Sequence, residues 1–345
     1  MKAPAWRVAR TDLWIDPAFD ARLAQAPGVS VDVFPVRGDP QAALETLAGA
    51  HVYHVSAAKD ELPRDWFASA DLIRRCPQLL CVSSSGAGHD TVDVAACTAA
   101  GIAVVNQAGA NAPSVAEHTF GLMLGVSRRM AESDRRLRRT ARGFSREDVM
   151  GHEIAGKTLG LVGIGHIGTR VAALGAAFGM QVIGTDPNLE ADEIARRGVR
   201  AVSLPELLAS ADFVSLHCPR DAGTARMIDA AAFARMKPGS YFISTARGGI
   251  HDEGALVEAL RSGHLAGAGL DVWDQEPPPP DHPLLAMENV FATFHTGGVT
   301  HEARRTVARV AADQIAALLA GVRPPRVVNP EAWPACEARL SSLTA

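Results

Sequence analysis

Three ionisable side chains in the second half of the sequence have types suited to carboxylate binding and proton transfer. Arg247, Glu276 and His295 lie at or just beyond the ends of segments that read as apolar strands. Open α/β sheets bind their ligands at the carboxyl ends of the strands. A guanidinium offers a planar fork of donors that matches a carboxylate, and an imidazole exchanges protons near neutral pH. The set therefore favours a site that binds a carboxylate and transfers a proton.

Glu276 and His295 form a candidate pair. A carboxylate against the imidazole would orient the ring and stabilise its protonated form at neutral pH. Their positions in the sequence do not by themselves bring them into contact. Simpler interpretations stay open, because a loop arginine such as Arg247 usually pairs with a surface acid and a single histidine is more often structural.

A glycine-rich turn between a strand and a helix predicts a dinucleotide site. Gly163 permits the tight turn, Gly165 lets the backbone approach a pyrophosphate, and Gly168 allows close packing of the helix. The anion could then bind the exposed amides at the helix start. Asp186 ends the next strand, about 20 residues further on, where a carboxylate accepts ribose hydroxyls and repels a 2′-phosphate. This pattern predicts NAD rather than NADP, although glycine turns also serve ordinary strand-to-helix packing.

The elements that must position these residues alternate between strand-like and helix-like segments. The alternation runs from about residue 155 to 298 and predicts a parallel sheet with crossover helices. The first hundred residues alternate in the same way without a phosphate loop. A last long helix, His301 to Leu319, ends before Pro324-Pro325 and would return the chain to the first domain.

We therefore predict an α/β fold with two Rossmann-like, doubly wound parallel-sheet domains and a cleft between them. Residues 1–110 and 305–345 would form a flavodoxin-like substrate-binding domain. Residues 111–304 would form an NAD-binding Rossmann domain inserted into it. The length of 345 residues is sufficient for two such cores.

Composition narrows the class further. The hydrophobic fraction of 47% is spread along the chain, and no apolar stretch reaches the 18 or so residues of a membrane span. The start lacks the features of a secretory signal, so we expect a cytoplasmic protein. The five cysteines match no zinc spacing, so reduced thiols and no metal site are expected.

The net charge of −4 gives no general reason to expect nucleic acid. One exception is the run of arginines from Arg128 to Arg142. It could be a basic patch for a polyanion. Because no aromatic residues are interleaved with the arginines, a solvated or intersubunit helical arm is the preferred interpretation.

Eight short motifs occur in order along most of the chain. They are Gly86-Ala-Gly-His-Asp-Thr-Val-Asp93, Asn111 to His118, Gly163 to Gly168, Leu216-His-Cys-Pro219, Thr245-Ala-Arg-Gly-Gly249, Gly269-Leu-Asp-Val272, Glu276-Pro277, and His282-Pro-Leu-Leu285 followed by His295. This series resembles the NAD-dependent D-isomer-specific 2-hydroxyacid dehydrogenases. The resemblance implies hydride transfer between a nicotinamide cofactor and a 2-keto or D-2-hydroxy acid, and a homodimer that uses the arginine-rich region as its arm.

The resemblance also implies roles for individual residues. Arg247 would bind the carboxylate and the reacting oxygen, His295 would be the general acid and base, and Glu276 its partner. Backbone amides around Ala87 and Gly88 would hold the other end of the carboxylate. The implied cofactor-lining residues are Val115, Gly163, Gly165, His166, Ile167, Gly168, Asp186, Cys218, Pro219, Thr224, Thr245, Ala246 and Asp271. Of these, Asp271 would fix the nicotinamide carboxamide and Val115 would pack on the ring.

Two departures from the family pattern affect the substrate. Phe294 stands where the family usually has proline, before the histidine. Val55 stands where the phosphoglycerate branch has a phosphate-binding arginine, which argues against 3-phosphoglycerate. A formate dehydrogenase-like enzyme is a weaker alternative because that pattern has glutamine in place of Glu276. An NAD(H)-sensing partner protein related to corepressors is the alternative from a different class.

Overall fold

The computed structural model describes residues 6–139 and 143–344. The chain divides into two compact units, Met1–Asn111 with Thr300–Ala345, and Ala112–Val299. The sequence-based boundary placed residues 300–304 in the cofactor domain, whereas this division assigns them to the first unit. The reason is that Thr300 caps a continuous helix from His301 to Leu319, and that helix packs into the core of the first unit.

The first unit contains a five-stranded parallel sheet in the order β2-β1-β3-β4-β5. This 2-1-3-4-5 order is the one found in flavodoxin-like folds. The strands are β1 (Trp6–Thr11), β2 (Val29–Phe34), β3 (Val52–Val55), β4 (Cys81–Ser84) and β5 (Ala103–Val105), and the helices are α1 (Ala18–Leu23), α2 (Pro40–Ala48), α3 (Ala70–Arg75) and α4 (Val94–Ala99), with a 3₁₀ turn at Arg64–Trp66.

The second unit contains a seven-stranded parallel sheet in the order β12-β11-β10-β9-β6-β7-β8. Its strands are β6 (Thr158–Val162), β7 (Gln181–Thr185), β8 (Arg200–Ala201), β9 (Phe213–Leu216), β10 (Tyr241–Ser244), β11 (Gly267–Leu270) and β12 (Val290–Ala292). Its helices are α5 (Ala112–Ser127), α6 (Met130–Arg139), α7 (His166–Ala177), α8 (Ala191–Arg196), α9 (Leu204–Ser210), α10 (Ala230–Arg235) and α11 (Glu253–Arg261), with 3₁₀ turns at Glu147–Val149 and Pro283–Ala286.

Both faces of the second sheet are covered by apolar side chains. Successive residues of a strand point to opposite faces, and accordingly Phe242 and Ile243 belong to two different buried clusters. Strands that are buried on both faces read as continuous apolar runs. The predicted fold class, α/β with two parallel sheets, is confirmed.

The middle of the second sheet is a topological switch point. Strands β6 and β9 are neighbours, and the chain extends from them in both directions, to β7 and β8 on one side and to β10, β11 and β12 on the other. Doubly wound sheets bind their ligands beside the carboxyl ends of the two strands at such a point. The loops after β6 and β9 therefore frame the expected cofactor site.

Helix α5 lies close to β11 because two positions of that strand are glycine. A Cβ at Gly267 would come within 2.6 Å of Val126, and one at Gly269 within 2.8 Å of Leu122. This close approach sets the position of α5 along the strand. The N-terminal half of the helix consequently lies at the carboxyl end of β11, where the ionisable residues are found.

The chain returns to the first unit through α12 (His301–Leu319) and α13 (Trp333–Thr344), with a 3₁₀ turn at Pro330–Ala332. The buried side chain of Asn329 secures this return, because its Oδ1 accepts the amide of Val104 at 2.7 Å. Within the described ranges, no helix is both long and apolar enough to cross a membrane.

Candidate active site

The turn after β6 contains three glycines, and the absence of a side chain has a different consequence at each position. Gly163 has a φ of 92°, and a Cβ there would lie 2.7 Å from the amide nitrogen of Cys218. A Cβ at Gly168 would collide with the carbonyl oxygen of Gly163. A Cβ at Gly165 would meet nothing within 4 Å. Packing within the chain thus explains Gly163 and Gly168. The space beside Gly165 is open at the start of α7, and the N-termini of helices are suited to anion binding.

Asp186 holds its carboxylate beside this turn. Its Oδ2 accepts the amide of Ile164 at 2.9 Å and its Oδ1 accepts the amide of Asn188 at 3.0 Å. Each carboxylate oxygen has a second lone pair for another donor. The turn and the acid together fit the pyrophosphate and ribose of NAD. His166 and Ile167, also predicted to lie at the pyrophosphate, are the first two residues of α7.

The loop after β9 lies against the glycine turn and contains three predicted cofactor-lining residues. The Thr224 hydroxyl donates to the carbonyl of Pro219 at 2.7 Å and accepts the amide of Asp221 at 2.8 Å, so this loop is closed upon itself. Burial raises the pKa of the Cys218 thiol to about 11. A thiol of this kind is neutral at physiological pH and is not a nucleophile.

Three more predicted cofactor-lining residues lie where β10 ends beside α5. Thr245 Oγ1 is 3.1 Å from Thr119 Oγ1, and the Thr119 hydroxyl donates to the carbonyl of Val115 at 2.8 Å. Ala246 follows and accepts a hydrogen bond from Arg247 Nη1 at 2.7 Å. The structure therefore brings Val115, Thr245 and Ala246 to one edge of the sheet.

The loop that contains Arg247 is packed against the loop that contains Glu276. A Cβ at Gly248 would collide with the carbonyl oxygen of Trp273, and the Gly249 amide donates to Asp274 Oδ1 at 2.6 Å. The space beside Gly248 is therefore filled by the neighbouring loop and not left for a ligand. The lack of a side chain at Gly248 makes room for the neighbouring backbone, and this contact brings the two loops together.

His295 and Glu276 are in contact. His295 Nδ1 lies 2.9 Å from Glu276 Oε2, and Glu276 Oε1 accepts the amide of Trp273 at 3.1 Å. The His295 side chain is 40% exposed, so its other face is open to a substrate. Its backbone has a φ of 45°, a conformation that is rare for residues other than glycine and that clusters at functional sites.

Asp271 is buried beneath the turn that contains His295. Its Oδ1 accepts the Thr293 hydroxyl at 2.6 Å and the Thr296 amide at 2.8 Å, while its Oδ2 accepts the Gly297 amide at 2.8 Å. Burial by itself would raise the pKa of Asp271, but hydrogen bonds from His118, Thr293 and the two amides outweigh it and hold the pKa below its ordinary value. Asp271 is therefore ionised and organises the turn.

Two residues of α5 also contact this turn, and the sequence analysis did not select them as site residues. Ser114 Oγ donates to the carbonyl of Gly297 at 2.6 Å, and His118 Nε2 lies 2.9 Å from Thr293 Oγ1. Their four-residue spacing places them on one helix face. Both also lie in the motif Asn111 to His118, so this motif and the four-residue spacing are the signals in the sequence that could have linked them.

Ala87 and Gly88 lie in the first unit, in the loop after β4. The Gln107 amide donates to the carbonyl of Gly86 at 2.8 Å, and Asn106 Nδ2 donates to that of Ala87 at 2.9 Å. In a trans peptide the N–H points opposite to the C=O. The amides of Ala87 and Gly88 therefore point away from these donors, as an amide that binds a carboxylate requires.

Comparison with known proteins gives the family. Residues 120–297 match the model of the D-isomer specific 2-hydroxyacid dehydrogenase, NAD binding domain. The chain belongs to this family, and the predictions of the family and of NAD as the cofactor are confirmed.

Individual relatives carry several names. D-3-phosphoglycerate dehydrogenase of Mycobacterium leprae is 44% identical over 260 residues, which are 75% of this chain and 49% of that protein. Glyoxylate reductase of Korarchaeum cryptofilum is 38% identical over 264 residues, which are 76% of this chain and 80% of that protein. The chain thus spans about half the length of the phosphoglycerate dehydrogenases that it matches.

Solved structures give the same class. A glyoxylate reductase from Paecilomyes thermophila superposes with a TM-score of 0.83 at 29% identity, covering 95% of this chain and 99% of that one. D-lactate dehydrogenase from Aquifex aeolicus, solved with NAD and lactic acid, gives a TM-score of 0.77 at 28% identity, covering 91% and 96%.

Proposed function

We propose that this chain is an NAD-dependent enzyme that interconverts a 2-keto acid and a D-2-hydroxy acid. The observation that carries the proposal is the contact of 2.9 Å between His295 Nδ1 and Glu276 Oε2, beside the loop that contains Arg247. An imidazole oriented by a carboxylate is a proton donor and acceptor. Its place at the carboxyl edge of a nucleotide-binding sheet puts that proton chemistry where such sheets bind their ligands.

The cofactor site has the shape and charge for NAD. Open space beside Gly165 admits a pyrophosphate to the amides of α7, and Asp186 is positioned to accept ribose hydroxyls. When bound, the nicotinamide supplies or accepts the hydride. In the proposal Asp271 would hold the carboxamide, and the cofactor would be lined by His166, Ile167, Cys218, Pro219, Thr224, Thr245, Ala246 and Val115.

His295 holds the proton that is transferred. Its Nδ1–H stays with Glu276, so Nε2 is the atom that gives a proton to the oxygen of the keto group during reduction. The same nitrogen takes the proton back during oxidation. Glu276 compensates the charge of the imidazolium and fixes the orientation of the ring.

Arg247 binds the substrate carboxylate with its planar donor fork. Its positive charge also stabilises the negative charge that develops on the reacting oxygen. A guanidinium discriminates in favour of an ionised acid over an uncharged carbonyl compound.

The proposed substrate is a small or moderately bulky 2-keto acid without a phosphate. Val55 provides no cation at the position where the phosphoglycerate branch has an arginine. Glu276 provides a carboxylate where formate dehydrogenases have an amide. Glyoxylate, hydroxypyruvate, pyruvate and aromatic pyruvates all satisfy these conditions.

We also propose a homodimer that uses α6. The exposed side chains of Met130 and Leu137 are seven residues apart, on one face of this helix. The arginines of α6 form ion pairs with Glu132, Asp134 and Glu288, which weakens the case for a polyanion patch. Arg142, the last arginine of the run, lies outside the described residues. Sedimentation at micromolar concentration should give a dimer, and a monomer alone would contradict it.

A panel of 2-keto acids tests the activity directly. The loss of NADH absorbance is followed with each acid, with 3-phosphohydroxypyruvate included and NADPH run in parallel. Turnover with NADH on at least one acid without a phosphate is expected. Tight NADH binding with no turnover on any acid, together with NADH-dependent capture of a peptide, would instead favour the sensor protein.

A further inference from the structure

One face of α5 follows β11 along its whole length and continues beyond it. Val126 packs on Gly267 and Leu122 packs on Gly269. One helical turn further, a Cβ at Gly297 would lie 3.5 Å from the His118 ring. The apolar contacts of Val126 and Leu122 therefore fix the position of His118 against the turn that contains His295.

The donors and acceptors around His118 have a defined direction. The Asp271 carboxylate only accepts hydrogen bonds, so at 2.6 Å the Thr293 hydroxyl donates to it. Thr293 Oγ1 must then accept from His118 Nε2, which is 2.9 Å away. His118 Nε2 also lies 3.3 Å from Asp271 Oδ1. The proton of His118 is therefore on Nε2, and the chain of donors runs from His118 through Thr293 to Asp271.

Asp271 in turn fixes the backbone on both sides of His295. Its carbonyl oxygen accepts the His295 amide at 2.7 Å, and its carboxylate accepts the amides of Thr296 and Gly297. His295 is in the left-handed region, a conformation that persists only when its surroundings hold it. The amides of Thr296 and Gly297 are thus held by a carboxylate that itself accepts the Thr293 hydroxyl and lies 3.3 Å from His118 Nε2.

We propose that His118 is a positioning residue for His295. By donating through Thr293 to Asp271, His118 holds the left-handed turn in the conformation that keeps the His295 ring against Glu276. His118 itself touches no reacting atom. This assignment rests on the proposed function for its catalytic consequence, although the structural coupling between the two histidines does not require it.

Two variants of His118 separate the hydrogen bond from simple packing. His118→Leu fills similar space without a donor, whereas His118→Gln retains an amide N–H that can reach Thr293. For His118→Leu we expect kcat to fall about 10-fold, the factor that corresponds to the net contribution of one hydrogen bond. His118→Gln should restore most of this loss. Equal loss in both variants, or no loss in either, would overturn the proposal.

Thr293→Val provides the coupling test. If His118 acts through Thr293, the double variant His118→Leu/Thr293→Val should lose no more kcat than the more impaired single variant. The reason is that both substitutions break the same series of hydrogen bonds. If the fold-loss of kcat in the double variant equals the product of the two single losses, the route through Thr293 is overturned.

A readout without turnover separates this inference from the proposed activity. In protein labelled with ¹⁵N-histidine, His118→Leu should change the ring-nitrogen signals of His295, and His118→Gln should leave them close to those of the wild type. A wild-type protein that reduces no acid but shows this change would refute the activity and support the positioning role. An active wild type with unchanged His295 signals in His118→Leu would refute the positioning role alone.

Discussion

The two carboxylates near His295 have different surroundings and therefore different tasks. Asp271 is 2% exposed, and its oxygens accept the Thr293 hydroxyl and two backbone amides. Glu276 is 23% exposed and gives one oxygen to the backbone and the other to the imidazole. Asp271 therefore holds the backbone of the turn, while Glu276 is placed to stabilise a positive charge on the His295 imidazole.

Glu276→Gln should move the pH profile of keto-acid reduction to lower pH. The variant keeps the shape and an acceptor but loses the negative charge that stabilises the imidazolium. The measurement is kcat/KM for the keto acid as a function of pH. Glu206→Gln is the control, because it removes a carboxylate from an exposed ion pair with Arg200 at 3.1 Å. Identical profiles in the wild type and Glu276→Gln would remove this role from Glu276.

Arg247, Glu276 and His295 could be predicted as candidate site residues because each follows a buried strand. The Glu276–His295 contact was stated as a hypothesis, and the two side chains do meet. The network of His118, Thr293 and Asp271 was not predicted, because its members come from a helix and two loops that only the tertiary structure brings together. A polar residue on a helix gives no sign of its partner in another element.

At the scale of elements, the turn after β6 contains one glycine that the backbone conformation requires and one that only ligand binding would require. Gly163 adopts a left-handed backbone and packs on the loop after β9. Gly165 caps α7 with a φ of −78°, which any residue adopts. The fold thus requires the first glycine and does not require the second.

Gly165→Ala should weaken NADH binding about 10-fold or more while leaving the melting temperature nearly unchanged. The added methyl group enters the open space where the backbone would approach the pyrophosphate. Gly163→Ala is the contrasting variant and should lose about 1–3 kcal/mol of stability, because alanine is strained at this φ. Thermal unfolding and NADH titration provide the two readouts. Normal NADH affinity in Gly165→Ala would contradict the proposed cofactor position.

The elements themselves were predictable where burial is complete. The central strand Phe213–Leu216 reads as an apolar run because both of its faces are covered. The strand Trp6–Thr11 was not predicted, because Arg7 and Arg10 interrupt its apolar pattern. The last strand of the second sheet ends at Ala292, and the next residue, Thr293, donates its hydroxyl to Asp271.

At the scale of the whole molecule, both units have the same kind of core, a parallel sheet with apolar clusters on its two faces. Alternation of strands and helices in the sequence is sufficient to predict that architecture. It does not specify the acid that is reduced, because the substrate depends on a few side chains in loops. The cytoplasmic location stays a prediction.

Buried histidines should make the protein sensitive to mild acid. Burial lowers the pKa of His251 from 6.5 to about 4, and both of its ring nitrogens are without partners. Below pH 6.5 the unfolded chain binds a proton at this histidine that the folded chain does not bind. The free energy of unfolding therefore decreases as the pH is lowered from 6.5 to about 4, by up to about 1.4 kcal/mol per pH unit.

His251→Leu should therefore lose less stability than the wild type between pH 6.5 and 5. Denaturant unfolding at each pH measures this difference, and His301→Leu, at an exposed position, is the control. The same pH dependence in the wild type and His251→Leu would show that His251 does not contribute to the acid sensitivity.

The most direct test of the central claim is the turnover of His295→Gln with the best 2-keto acid, measured beside NADH binding. Loss of a general acid costs about 10²–10⁴-fold in rate, so the variant should lose at least about 100-fold in kcat while binding NADH as tightly as the wild type. His264→Gln, in which the replaced histidine lies away from the site, should keep its activity. Wild-type turnover by His295→Gln would contradict the assignment of the proton to this histidine.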